Sequence, residues 1–210
     1  KDFQRAKYYF ELSEEQNSAF GIYQLGHMYE YGIGVKINYL KAAELYKKSS
    51  ELNFSQAYVE LCIFYFSGLG VKQDYKKGFS CLKKAIKLDN SYAMAIMALI
   101  YYKRKKYKKS KQYFEHASQL NEPLALYYLG EIYYDIDLPR AIECYKKSIQ
   151  LENQIEIVEI GSGQKYISEI HNYYYAISYN NLGLIYLIEY QNIELANNNI
   201  KESAFSEYPF

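Results

Sequence analysis

A pair of closely spaced glycines is the first feature of this sequence that could do chemistry, because glycine-rich loops bind phosphate. Gly32 and Gly34 match the start of a dinucleotide-binding fingerprint, but Ile37 stands where its third glycine belongs. The preceding segment has helical periodicity, whereas the fingerprint needs a strand that leads into a helix. A second pair, Gly68 and Gly70, recurs at the same place in a repeated pattern. We therefore predict that both pairs form turns between helices, where glycine permits a positive φ.

The most strongly charged stretch is the basic run 103–111, KRKKYKKSK, in which seven of nine residues are Lys or Arg. Such a run could bind nucleic acid, an acidic partner or an import receptor. The whole chain, however, has a formal net charge of only +1, and no other segment extends the basic patch. We expect a solvated hairpin loop and no nucleic-acid partner.

Histidines and cysteines are the remaining candidates for catalysis or metal binding. The histidines (His27, His116 and His171) lack metal-ligand spacing, and the three cysteines are too scattered for a disulfide scaffold or thiolate site. His27, Glu30 and Tyr31 could share one helix face, but a single such group is weak support for acid–base chemistry. The sequence therefore predicts no catalytic residue, no metal and no cofactor.

Hydropathy and cysteine usage predict an intracellular, cytoplasmic location. The longest uncharged apolar run, residues 92–102, has eleven residues, whereas a membrane-spanning helix needs about 20. No signal-peptide pattern opens the chain, and three unpaired cysteines indicate a reducing compartment. Because the chain begins at Lys1 and not at Met, we interpret it as a fragment whose targeting signals can lie outside it.

The elements that position these residues are repeated pairs of helices. A large apolar residue, a small residue and a tyrosine recur in five blocks, first as Leu25, Gly26 and Tyr29, which fall on one helix face. The small residue predicts a close approach between helices, and a second helix follows with anchors at Ala42 and Tyr46. The later blocks carry Leu61, Cys62 and Tyr65; Met97, Ala98 and Tyr101; Leu129, Gly130 and Tyr133; and Leu182, Gly183 and Tyr186.

Boundary residues divide the blocks into about eleven helices. Second helices end in Leu followed by Asn, Asp or Glu, and Pro123 and Pro139 fall where a first helical turn is expected. Residues 153–175 interrupt the repeated pattern, and this insertion is interpreted either as a binding element or as a surface loop. We predict one repeat domain over 1–210, with repeats at about 17–53, 54–89, 90–121, 122–152 and 176–206, a preceding second helix at 2–16 and an insertion at 153–175.

Residues 19–53 resemble the Sel-one-like repeat of the tetratricopeptide-related superfamily. The match rests on the anchors given above together with Ala19, Gly32, Gly34, Val35 and Ala43. Residues 57–89 keep most of this pattern, whereas 93–121 lack the glycine pair and look more like a plain tetratricopeptide repeat. The resemblance implies an all-α fold, a right-handed α/α superhelix (solenoid) of helix hairpins, and a non-catalytic adaptor that binds other proteins.

A solenoid of this kind lines its concave face with first-helix residues that packing does not use. This predicts an aromatic face with a few acids, suited to a protein or peptide partner. The alternative is a regulatory or substrate-recruiting arm of a larger enzyme, such as a kinase or ubiquitin-pathway complex. The sequence leaves the oligomeric state open. The predicted partner-binding residues are Tyr23, His27, Glu30, Tyr31, Val59, Ile63, Phe66, Leu99, Tyr102, Tyr127, Glu131, Tyr134 and Asn180.

Overall fold

The computed structural model describes residues 2–152, 176–188, 190, 192, 195–199 and 201, and its regular elements there are α-helices. The predicted all-α class is confirmed. The predicted insertion 153–175, which includes His171, lies outside the described residues. The chain divides into two compact units, the first reaching Ala93 and the second beginning at Met94. The single repeat domain and its repeat boundaries stay a prediction.

In the first unit, each helix packs against the next one along the chain, and the pairs α2–α3 and α4–α5 pack most extensively. This is the arrangement of helix hairpins that the repeated pattern predicts. The helices are α1 (Phe3–Glu15), α2 (Ala19–Tyr31), α3 (Tyr39–Glu51), α4 (Ser55–Ser67) and α5 (Tyr75–Lys87).

In the second unit the same alternation continues, and α8 packs extensively against α9. Helix α6 begins just before the division between the units and continues into the second. With two further helical segments at 176–188 and 195–199, the described residues agree with the predicted number of about eleven helices. The helices are α6 (Ser91–Lys103), α7 (Tyr107–Gln119), α8 (Pro123–Tyr133) and α9 (Leu138–Glu152).

Short acidic or amide side chains begin most of the second helices. Asp2, Asn38, Asp74 and Asp137 each accept a hydrogen bond from the backbone N–H three residues later, at 3.0–3.2 Å. Such caps satisfy backbone donors that have no partner within the helix. Helix α7 differs, because Lys106 precedes it and makes no side-chain hydrogen bond to its first turn.

The ends of the second helices use residues that tolerate left-handed backbone. Asn53, Asp89 and Asn121 have φ between 53° and 60°, a region that Asn and Asp enter more readily than most side chains. The predicted helix ends at these Leu–Asn and Leu–Asp steps are therefore confirmed. Pro123 is also confirmed in the first turn of α8.

The glycine pairs form the turns that the sequence predicts. Gly32 ends α2 with φ 70°, and its N–H donates to the Met28 carbonyl. The second glycine of each pair faces the preceding repeat. A Cβ at Gly70 would lie 2.1 Å from the Tyr39 carbonyl oxygen, at the start of α3. Only a residue without a side chain permits that approach, so these glycines join neighbouring repeats and no phosphate is needed to explain them.

Glycines inside the first helices permit the close approach that the sequence predicts. A Cβ at Gly26 would lie 2.9 Å from the Tyr46 ring, and one at Gly130 would lie 2.5 Å from the Tyr145 ring. Both tyrosines are fully buried in the second helix of their hairpin. The tyrosine ring therefore occupies the space that a first-helix side chain would otherwise fill.

Candidate partner-binding face

First helices and second helices differ sharply in charge. Helices α2, α4, α6 and α8 carry one charged residue each: Glu30, Glu60, Lys103 and Glu131. The second helices carry four or five charged residues each. A helix that is apolar around most of its circumference is covered on several sides. Residues that stay exposed on such a helix are therefore candidates for binding a partner.

The predicted binding residues separate into buried and accessible positions. Tyr23, His27 and Val59 are buried. Tyr23 lies in a core cluster with residues of α3 and α4, so its ring packs against the next repeat. The exposed members are Ile63, Tyr102 and Glu131, and the half-buried ones are Glu30, Tyr31, Phe66, Leu99, Tyr127, Tyr134 and Asn180. Their role in binding stays a prediction.

Four of the predicted residues come together on α2. The His27 ring lies between two tyrosines, with its centroid 5.6 Å from that of Tyr23 and 4.6 Å from that of Tyr31. Glu30 accepts hydrogen bonds from Tyr31 and from Tyr46 of α3. Phe66 does not join this group, because its ring packs against Tyr75 and Phe79 at the start of α5.

A second carboxylate completes this group. The Tyr23 hydroxyl donates to Glu60 of α4 over 3.4 Å, and the Tyr23 and Tyr46 rings lie 5.6 Å apart. Two tyrosines thus connect carboxylates from two successive first helices. We call Tyr23, His27, Glu30, Tyr46 and Glu60 the Tyr–Glu cluster.

Burial changes the protonation of the Tyr–Glu cluster. Burial, with a smaller contribution from the Glu30 charge, raises the pKa of Glu60 to about 8. Burial also raises the pKa of Glu30, against the effect of its two tyrosine donors. The pKa of His27 is lowered by burial to about 4, so its imidazole is neutral near neutral pH. The cluster therefore contains acceptors and hydroxyl donors but no cation.

The second unit contains a related but simpler arrangement. Tyr145 of α9 donates to Glu131 of α8, as Tyr46 does to Glu30. Asn181 donates to the same carboxylate over 2.7 Å. Burial and the Glu131 carboxylate raise the pKa of Tyr145, so its hydroxyl stays protonated and donates. The sequence prediction placed Asn180 on this face, and its neighbour Asn181 makes the contact.

Sequence reasoning missed Tyr46, Glu60, Tyr145 and Asn181 as site residues. Tyr46 is a predicted anchor of the repeat and its ring is fully buried, but its hydroxyl also donates a hydrogen bond to Glu30. One signal was available, because Glu60 is the only charged residue of α4. A single charge on an otherwise apolar helix requires a polar partner or access to water.

The basic run is largely exposed, as predicted, but it is mostly helical: Lys103 ends α6, 104–106 form the connection, and Tyr107 begins α7. Residues 103–109 are all exposed, and residues 107–111 form the first turn of α7. Lys111 lies 3.9 Å from Glu115, and Lys109 lies over the Tyr101 ring. Both contacts are local to α6 and α7.

The cysteines are free and poorly reactive. Burial raises the pKa of Cys62 to about 12 and that of Cys144 to about 11, so both stay protonated thiols near neutral pH. Within the described part of the chain, no three His, Cys, Asp or Glu side chains are placed to hold a metal ion. None of the helices in that part has the length and apolar composition that a membrane span needs.

Comparisons with known proteins agree with this architecture. The family model described as Sel1 repeat matches residues 1–18, 19–54, 55–90 and 123–153. It does not match the block that carries the basic run, which also lacks the glycine pair. A comparison with curated proteins gives no match.

Three solved structures with a similar fold each share about a fifth of their residues with this chain. A Sel1 repeat protein from Oxalobacter formigenes has 21% identity and a TM-score of 0.73, with 97% of this chain and 78% of that chain covered. The uropathogenic Escherichia coli antigen c5321 has 21% identity and a TM-score of 0.59, covering 94% and 48%. Immunity protein Pa5087 from Pseudomonas aeruginosa has 21% identity and a TM-score of 0.60, covering 85% and 75%. These similarities concern the fold alone.

Proposed function

The chain belongs to the Sel1 repeat family, and from that premise we propose that it is a non-catalytic scaffold for protein–protein interaction. Its partner is a peptide or helix bound by the accessible side chains of the first helices. The observation that carries this proposal is the contrast in charge between the two kinds of helix. First helices present apolar and aromatic side chains with one charge each, whereas second helices present the charged, solvated surface.

The accessible first-helix residues have the composition of a binding surface. Phe20, Ile63 and Tyr102 are 55%, 39% and 37% exposed, on helices that are otherwise largely packed. Aromatic and aliphatic side chains of this kind provide most of the energy in protein interfaces, and a few polar groups set the orientation. An extended peptide or an amphipathic helix is the partner class that such a surface accommodates.

The candidate reactive groups support a binding role over catalysis. The described cysteines have raised pKa values, which keep them from acting as nucleophiles near neutral pH. His27 has a lowered pKa and two aromatic neighbours in place of an orienting acid. The regulatory arm of a larger enzyme remains compatible with this proposal, since such an arm would also act by binding.

Selection from a displayed random-peptide library on the immobilised chain tests the proposal. Ile63→Ser should weaken the selected peptides by about tenfold, because it removes an apolar contact from the first-helix surface. Leu40→Ser is the matched control, since Leu40 is 60% exposed on α3, which is a second helix. The affinity of the selected peptides for this variant should be unchanged. Equal effects of the two substitutions, or failure to select any peptide, would contradict the proposal.

A further inference from the structure

The connection from α6 to α7 holds the most concentrated charge of the chain. Residues 103–109, which we call the basic segment, include six Lys or Arg side chains and no acid, and all seven residues are exposed. The basic segment contributes +6 to a total of only +1, so the other residues of the chain have a net charge of −5. A positive surface on an otherwise acidic chain favours an anionic partner.

Two other second helices have a carboxylate at the place where α7 has a cation. Asp74 at the start of α5 lies 3.9 Å from the Lys77 ammonium group, and Asp137 at the start of α9 lies 3.3 Å from an arginine three residues later. The corresponding residues of α7 are Lys106 and Lys109. Two cations therefore occupy the positions where these repeats form an ion pair, and the anion is missing from α7.

The two helices that the basic segment joins cannot neutralise it. Helix α6 contains no acid, and Glu115 is the single acid of α7. Glu115 lies 3.9 Å from Lys111, outside the basic segment, and accepts a hydrogen bond from Tyr133. Like charges this close along a helix repel each other. Their neutralisation therefore has to come from dissolved ions or from a partner.

Two exposed tyrosines join the basic segment to the accessible surface of the first helices. The Tyr107 ring is 56% exposed, and its centroid lies 5.5 Å from that of Tyr102, which is 37% exposed on α6. The Tyr102 ring lies 6.1 Å from the half-buried Tyr128 ring of α8. The cations thus begin where these aromatic side chains end, so one bound segment can contact both.

We propose that the basic segment, together with Tyr102, is a docking surface for a segment of the protein partner that is rich in Asp and Glu. This inference rests on the proposed scaffold function and specifies the charge of the bound segment. Carboxylates form charge-assisted hydrogen bonds with Lys and Arg, and tyrosine rings pack against apolar side chains between the acids. A nucleic acid fits less well, because its closely spaced charges would extend beyond the basic segment onto a chain that is otherwise acidic.

Fluorescence anisotropy of a labelled peptide, with Asp and Glu residues around one Leu, tests the inference when the full chain is added at low salt. We expect a Kd of about 10 µM that weakens as salt is added. The same peptide with Asn and Gln in place of the acids should bind at least about tenfold more weakly.

A pair of triple variants locates the binding surface. Lys105→Gln/Lys106→Gln/Lys108→Gln should weaken the acidic peptide by about tenfold, because it removes half of the charge of the basic segment. The matched control replaces three exposed lysines of α5 by Gln and lowers the net charge by the same amount, so the Kd should change by less than about twofold. These control positions are Lys76, Lys83 and Lys87.

Lys106→Asp separates binding from folding. It introduces the cap that α7 lacks, so the variant should be at least as stable as the original chain, yet it should bind the acidic peptide about fivefold more weakly. Unchanged binding by Lys106→Asp, equal effects of the two triple variants, or equal affinity for the acidic and the amide peptides would overturn the docking surface. Tighter binding of a uridine oligonucleotide or of phosphatidylserine vesicles than of the acidic peptide would also overturn it.

The outcome is distinguishable from failure of the scaffold proposal. If the acidic peptide did not bind, but library peptides did and Ile63→Ser weakened them, only the docking surface would fail. If no library peptide bound, the scaffold proposal itself would fail, and the docking surface with it.

Discussion

The hairpins α2–α3 and α8–α9 place the same buried tyrosine in different electrostatic surroundings. Tyr46 and Tyr145 are both fully buried, and both pack against a first-helix glycine. Each hydroxyl donates to a glutamate of the first helix, Glu30 in one hairpin and Glu131 in the other. The ring therefore packs in the core of each hairpin, and the hydroxyl donates a hydrogen bond to a more exposed glutamate.

The two glutamates differ in what surrounds them. Glu30 is half-buried and close to a second carboxylate, and burial raises its pKa. Glu131 is exposed to water and receives an additional hydrogen bond from Asn181. Burial favours the neutral form of the first carboxyl group, whereas the second is exposed and accepts hydrogen bonds from Tyr145 and Asn181. The same tyrosine anchor thus holds a half-buried carboxyl group in one hairpin and an exposed one in the other.

Loss of the buried tyrosine ring should have the largest effect on stability, and it tests the packing role that the ring has in both hairpins. Tyr46→Ala and Tyr145→Ala should each lower the free energy of unfolding by about 3–5 kcal/mol, because each leaves a cavity against a glycine. Urea denaturation of both variants measures this. Similar losses would support a common architectural role. A negligible loss for either would show that its ring is not an anchor.

Removal of the tyrosine hydroxyl alone should destabilise the two hairpins to different extents. Tyr46→Phe should cost about 1–3 kcal/mol, because it removes a donor from the half-buried Glu30 carboxylate. Tyr145→Phe should cost less than about 1 kcal/mol, because Glu131 keeps Asn181 and water. The free energies of unfolding of the two phenylalanine variants provide the measurement. Equal losses would remove the distinction drawn between the glutamates.

Stability between about pH 6.5 and 8 should depend on Glu60. Its pKa is about 8 in the folded chain against 4.5 as the ordinary value, so the folded state holds this proton more tightly. The contribution to stability is therefore lost as pH rises from about 4.5 to about 8. Glu60→Gln should abolish this loss and raise Tm at pH 8 by about 2–4 °C, as about 1 kcal/mol does in a protein of this size.

Below about pH 6.5, His27 acts in the opposite direction. Its pKa is about 4 in the folded chain, whereas the ordinary value is 6.5, so the unfolded chain binds the proton more tightly. The stability of the folded chain therefore decreases as the pH is lowered from about 6.5 to about 4. The two contributions oppose each other between about pH 4.5 and 6.5. In Glu60→Gln, only the decrease caused by His27 should remain there. A Tm profile of Glu60→Gln identical to that of the wild-type chain would contradict the assignment to Glu60, and the absence of a decrease towards low pH in this variant would contradict the assignment to His27.

The smallest effect concerns the helix that lacks a cap. Lys106→Asp should stabilise the chain by about 1 kcal/mol, because it introduces the acceptor that Asp74 provides for α5. The converse substitution Asp74→Ala should destabilise by a similar amount. Thermal denaturation of both variants checks the pair. Destabilisation by Lys106→Asp would show that the basic connection, and not the missing cap, determines the start of α7.

The sequence predicted what depends on local pattern. Helix spacing, the positive φ of Gly32 and the helix end at Asn53 follow from neighbouring residues, so they could be read without tertiary information. The small first-helix residue also predicted the close approach at Gly26. Each of these features lies within one repeat or at its boundary.

The candidate site was harder to predict because it depends on contacts between repeats. Tyr23 and Val59 were placed on an open face by counting one helical step from the anchors. They are buried, and Tyr23 packs against residues of α3 and α4. The pairing of Tyr23 with Glu60 joins residues 37 positions apart and depends on how one first helix lies beside the next. A helical wheel describes a single helix and contains no such information.

The glycine turns of the first unit give the repeats a direction. The turn at Gly34 lies against Phe3 at the start of α1, and the turn at Gly70 lies against Tyr39 at the start of α3. In both turns, the atoms nearest to the second glycine thus belong to the preceding repeat. Removing repeats from the carboxyl side would leave every remaining turn supported, whereas removing them from the amino side would expose one. Addition or deletion of repeats should therefore affect the packing of the glycine turns differently at the two ends of the chain.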